Sequence, residues 1–152
     1  MKVERAAVSG AMIALLGIAT LAADQAEEPE AAEEAAEAAE EEPTYHVVDG
    51  KADPDTVRGY LTYTAKCMPC HGPDGLGSSF APSLVRAVQR RTFDDFQETV
   101  RNGRSILPGQ VMPPFGDDAV VMAHVDDIWR YLKARADGVL GRGRPEVLEA
   151  GN

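Results

Sequence analysis

Cys67-Met68-Pro69-Cys70-His71 is the stretch on which the reading of this chain turns. Two cysteines separated by two residues and followed at once by histidine form the attachment pattern of a c-type haem. The spacing has a physical reason: two thiols can add to the two vinyl groups of one porphyrin edge, and the adjacent imidazole then reaches the iron. Other uses of such a pair fit less of the sequence. A thioredoxin-like redox pair follows a strand and opens a helix, whereas the residues before Cys67 have helical spacing. A zinc site needs four ligands, yet the chain has only 2 cysteines, and His46 and His124 stand at no regular ligand spacing. A plain disulfide across two residues leaves His71 without a task.

An iron held by His71 needs a second axial ligand, and the sequence offers few. Of the 5 methionines, Met1 and Met12 lie in the leader and Met68 sits between the anchoring cysteines. Met112 lies in Gln110-Val111-Met112-Pro113-Pro114-Phe115, read as a loop whose two prolines stiffen the backbone behind the thioether. Met122 lies in an apolar helical run, where a core role is the natural reading. Met112 is therefore the favoured ligand, with Met122 and His124 as alternatives. A His/Met pair raises the potential and leaves no open axial position, which points to electron transfer rather than catalysis.

The flanking pattern is helical. Asp53-Pro54 supplies an N-cap followed by proline at the first helical position, and Val57, Leu61 and Thr64 recur at helical spacing toward Cys67. Gly59 and Tyr63 share one face. A glycine inside a helix costs about 1 kcal/mol relative to alanine, so close approach of another helix is the expected compensation. The partner is the stripe Val121, Val125, Ile128 and Leu132, with Trp129 and Tyr131 beside it. A middle helix opens at Thr92, with Asp95 at the capping-box position, carries Phe93, Phe96 and Val100, and stops at Asn102-Gly103. The aromatic content is only 6%, so the core is small or completed by something the sequence does not encode, and a porphyrin would supply the missing part. The expected fold is all-α: three to five helices wrapped around one covalently bound haem.

The net charge of -10 is unevenly spread. Residues 24–42 hold ten acids and no base, while everything from Pro43 onward is nearly balanced. A near-neutral domain gives nucleic-acid binding no electrostatic footing. Residues 1–22 read as an export signal: Lys2 and Arg5 precede an uncharged apolar run, and Thr20-Leu21-Ala22 offers small residues for cleavage after Ala22. The rival reading is an uncleaved anchor, although the run over residues 6–22 is shorter than the roughly twenty apolar residues a spanning helix needs. Association with a membrane is expected only in that case. Residues 23–43 form an Ala/Glu-rich spacer without an apolar stripe. The domain covers residues 44–137, and the glycine-rich residues 138–152 form a C-terminal tail, packed on the surface or frayed.

Over residues 56–136 the chain resembles a class I cytochrome c. The resemblance rests on CMPCH, Gly72-Pro73-Asp74-Gly75-Leu76-Gly77 and Met112-Pro113-Pro114-Phe115 in that order, with Gly59 and Tyr63 matching the N-terminal helix and Ile128, Tyr131 and Leu132 the C-terminal one. Ala81-Pro82-Ser83-Leu84 matches the loop whose proline carbonyl accepts a hydrogen bond from the ligating histidine, which implies that Pro82 orients His71. VVDGK, CHGPDGLGSSFAPSL and YLKARADGVLGRGRPE further resemble the methanol-metabolism-related c-type cytochromes of methylotrophic bacteria. That resemblance implies a periplasmic carrier of haem c. Its donor would be a quinoprotein alcohol dehydrogenase carrying pyrroloquinoline quinone, and its acceptor a downstream cytochrome or terminal oxidase. The second cysteine pair typical of that group is missing. Two alternatives stay open: a membrane-anchored subunit of a larger redox complex, and a haem sensor or enzyme with a displaceable sixth ligand.

Overall fold

The computed structural model describes residues 42–107 and 109–149; the proposed signal and nearly all of the acidic spacer lie outside them. Three helices dominate. α1 (Pro54–Lys66) starts where Asp53 caps it: Oδ1 accepts from Thr56 N at 2.9 Å, and Oδ2 accepts from Thr56 Oγ1 at 2.7 Å. Asp53 Oδ2 also accepts from His46 N at 2.7 Å, tying the incoming chain to the helix start. α2 (Met68–His71) is a single turn, followed by a 3-10 turn (Pro73–Gly75) and the short α3 (Leu84–Val88), capped by Ser83. α4 (Phe93–Asn102) opens on Thr92, whose Oγ1 accepts from Asp95 N at 3.2 Å, and closes on Gly103.

The C-terminal apolar stripe is divided. α5 (Ala119–Ala123) is capped by Asp118, and α6 (Val125–Ala136) follows after a break at His124, where φ is -129° and ψ is 19°. Val121 thus sits on one helix and Val125, Ile128 and Leu132 on the next, yet all four are buried. α1 and α6 form the main helix–helix interface. Gly59 is the reason they can approach so closely: a Cβ at that position would lie 1.8 Å from the Asp127 carbonyl oxygen. Tyr63, Trp129, Tyr131, Ile128 and Leu132 form the centre of the core. Trp129 packs its ring against Phe93 and Phe96 of α4, at centroid distances of 5.7 and 5.2 Å.

The helices agree with the all-α reading, but two small sheets accompany them. β1 (Val47–Val48) and β2 (Lys51–Ala52) form an antiparallel hairpin around Asp49-Gly50, both at positive φ. β3 (Arg104–Leu107) and β4 (Gln110–Met112) form a second hairpin, pairing Arg104 with Met112. Met112 therefore belongs to a strand end rather than to a free loop, because the backbone groups on either side of the Gly109 turn pair with each other. The tail is held along its described length. β5 (Glu146–Val147) runs parallel to β2, and Leu140 is buried at 2% exposure. Asp74 anchors the strap between them, accepting from Arg142 Nε at 2.9 Å and from Gly143 N at 2.8 Å.

Candidate functional site

The site grows from the end of α1. Cys67 closes that helix, its N–H donating to Tyr63 O at 2.8 Å, and the chain re-enters a helical turn directly. Cys70 N and His71 N both donate back to Cys67 O, at 3.2 and 2.9 Å. The turn places Cys67 and Cys70 three residues apart on one helical face. Both are free cysteines, Cys67 half-buried and Cys70 exposed. Burial, and secondarily the neighbouring Cys70, pushes the Cys67 thiol up to about 12, so it keeps its proton in this state.

His71 is 7% exposed, and its Nδ1 lies 2.9 Å from the Pro82 carbonyl oxygen. A carbonyl oxygen only accepts, so Nδ1 carries the ring proton and Nε2 keeps the lone pair that a metal needs. Met112 is half-buried, and the chain just beyond it is pinned to the end of α4: Phe115 N donates to Val100 O at 3.0 Å and Gly116 N to Arg101 O at 3.0 Å. Met112 and Met122 are both partly buried against the core, Met122 from α5, and His124 Nδ1 lies 3.1 Å from Asp127 Oδ2. That buried carboxylate also receives Arg58 Nε at 2.6 Å and Arg130 at 2.9 Å. His46 is exposed before β1.

The donor set suits a covalently held haem: two free thiols on one face, an imidazole in the ligating tautomer, and a thioether on a braced strand end. Thr64 Oγ1, one turn before Cys67, is buried without a hydrogen-bond partner among the described residues, a polar atom for which an added group can provide one. Two apolar side chains stand unusually bare on the segments concerned, Phe80 at 76% and Val111 at 66% exposure. Sequence reasoning did not single out two hydroxyls that brace the turn after His71. Tyr63 OH donates to Gly72 O and accepts from Gly75 N at 3.0 Å, while Ser83 Oγ donates to Gly75 O at 3.0 Å. Tyr63 sits at a core position of α1, so only its identity as tyrosine rather than phenylalanine hinted at a buried partner.

Comparison with known proteins falls on the same region. The family model described as cytochrome C oxidase, cbb3-type, subunit III matches residues 54–132. Cytochrome c-553I of Paracoccus denitrificans is 43% identical over 114 residues, covering 72% of this chain and 50% of the relative. Cytochrome c-555 of Methylococcus capsulatus is 35% identical over 95 residues, covering 62% of this chain and 73% of the relative. Among solved structures, the c-type cytochrome XoxG from Methylobacterium extorquens AM1 superposes with a TM-score of 0.66 at 43% identity, over 71% of this chain and 68% of that one. The chain spans half the length of cytochrome c-553I and about two thirds to three quarters of the other two.

Proposed function

The chain belongs to the c-type cytochromes, and on that premise we propose that it is an exported one-electron carrier taking electrons from a quinoprotein alcohol dehydrogenase. Cys67 and Cys70 would hold the prosthetic group through thioether links, and His71 and Met112 would ligate its iron, with Pro82 fixing the ring of His71. When bound, haem c supplies a one-electron iron couple. The chain's own part is to keep that couple ligated and shielded. Nδ1 holds its proton toward Pro82, which keeps Nε2 a strong donor. Met112, backed by Pro113 and Pro114, would be the second iron ligand, which would leave no open site for small-molecule chemistry.

The observation that carries this reading is the His71–Pro82 hydrogen bond of 2.9 Å beside two free thiols on one face. The donor rests on the resemblance of VVDGK, CHGPDGLGSSFAPSL and YLKARADGVLGRGRPE to methanol-metabolism-related cytochromes; the acceptor is a downstream cytochrome or terminal oxidase. Cleavage after Ala22 frees the protein into the periplasm, and among the described residues no helix is long and apolar enough to cross a membrane. The test is rapid mixing of oxidised holoprotein with the substrate-reduced dehydrogenase that carries pyrroloquinoline quinone. Fast, saturable reduction that slows with salt supports the donor. Absence of reduction in a protein with a normal spectrum removes the methanol link while leaving the cytochrome intact.

A further inference from the structure

The Pro82 carbonyl does not hold its position alone. It belongs to a loop that reaches the His71 turn only by close backbone approach. Gly77, at φ 91°, lies against the Pro82–Ser83 peptide, where a Cβ would be 2.7 Å from Ser83 N. Gly77 N in turn donates to His71 O at 2.8 Å. Ser83, the residue directly after Pro82, is 6% exposed and places its hydroxyl between two elements. It donates to Gly75 O at 3.0 Å and accepts from Arg86 N at 3.3 Å, so one oxygen both caps α3 and ties that helix to the turn after His71. From the opposite side Tyr63, fully buried on α1, bonds the Gly72 carbonyl and the Gly75 N–H. Gly75 is thus gripped through its N–H by one hydroxyl and through its carbonyl by the other.

We propose that Ser83 and Tyr63 are positioning residues whose hydroxyls set the alignment of the Pro82 carbonyl with His71 Nδ1, and through it the donor strength of the axial imidazole. The inference rests on the assignment of His71 as an iron ligand. A carbonyl held in line with Nδ1–H gives the imidazole more anionic character and raises its basicity, which favours the oxidised iron. Loosening the carbonyl weakens that bond and favours the reduced iron. The two hydroxyls act on the same strut from its two ends, so removing either has the same sign of effect.

The test is made on haem-matured protein carrying Ser83→Ala, Ser83→Thr or Tyr63→Phe. The first and third remove one hydroxyl each; the second keeps it. Two quantities are read: the midpoint potential and the exchange rate of the His71 Nδ1 proton. Ser83→Ala and Tyr63→Phe are expected to raise the potential and to speed that exchange about fivefold, the effect of losing one hydrogen bond of ordinary net strength. Ser83→Thr is expected to restore both values toward those of the parent. A lowered melting temperature with unchanged potential and exchange in both hydroxyl-deletion variants overturns the proposal, because it leaves these residues a purely structural role. Failure of the parent itself to show a histidine-ligated haem spectrum overturns the site assignment instead, which keeps the two failures apart.

Discussion

Replacing Gly59 by alanine tests the packing on which the haem turn is built. In an uncrowded helix the change stabilises, since alanine is about 1 kcal/mol better than glycine. Here the new Cβ meets the Asp127 carbonyl oxygen at 1.8 Å and the carbonyl carbon at 2.3 Å, where ordinary contact begins at 3.4 Å. Both obstructing atoms are backbone inside α6, so no side chain can rotate away. The two helices must separate by more than an ångström, which opens space beside Ile128 and Tyr63 and strains the contacts that bury them. Overpacking of a close-packed core costs about 1–3 kcal/mol, and backbone against backbone belongs at the upper end. After the gain in helix propensity about 2 kcal/mol of net destabilisation remains, which corresponds to a fall of about 10 °C in Tm for a domain of this size. Thermal unfolding of the holoprotein, followed by far-UV circular dichroism, measures it. An unchanged or higher Tm refutes the argument that close helix approach is what requires glycine.

Met112→Ala is expected to abolish the sulfur-to-iron absorption band of the oxidised protein, lower the potential and admit small exogenous ligands; an unchanged spectrum makes Met122 or His124 the ligand. Burial raises the Asp74 carboxyl, but the Gly143 N–H, Arg142 and Arg135 together hold it below the usual carboxylate range. A carboxyl depressed in the folded state stabilises above its unfolded pKa and loses that contribution as pH falls through the folded value. Asp74→Asn is therefore expected to lower Tm near neutrality and to flatten its decline as pH falls below the unfolded carboxylate value, whereas parallel Tm–pH curves would exclude this linkage. Removing residues 24–41 while retaining Glu42, which pairs with Trp129 Nε1 at 3.1 Å, is expected to leave haem attachment and Tm unchanged; loss of holoprotein would show that the acidic segment is more than a spacer.

The helical frame was legible because its signals are local. Asp53 and Thr92 cap as their residue types dictate, and Gly59 stands out as a costly residue that only a close neighbour explains. The break at His124 was not legible, since Val121, Val125, Ile128 and Leu132 keep one spacing across it and Asp118 as a second cap emerges only in retrospect. The hairpins were missed for a different reason: strands of two to four residues are too short for an alternating pattern to register. Asp49-Gly50 between Val47-Val48 and Lys51-Ala52 was nonetheless a usable turn signal. The Arg142–Asp74 pair joins residues 68 positions apart in the chain, and no spacing rule reaches that far. At the site, the cysteine–histidine pattern named the candidate ligating turn, and the loop resemblance named Pro82. The bracing by Ser83 and Tyr63 depended on tertiary placement, which gives a serine after proline and a tyrosine on a core stripe their meaning.

The most direct test is a spectroscopic redox titration of the haem-matured protein. The expected result is one haem that resists acidified-acetone extraction, a single one-electron transition, and a sulfur-to-iron band that disappears as the iron is reduced. Extractable haem would contradict attachment through Cys67 and Cys70. A spectrum of five-coordinate iron, binding added ligands without displacement of a protein group, would contradict the His71/Met112 pair and with it the reading of this chain as an electron carrier.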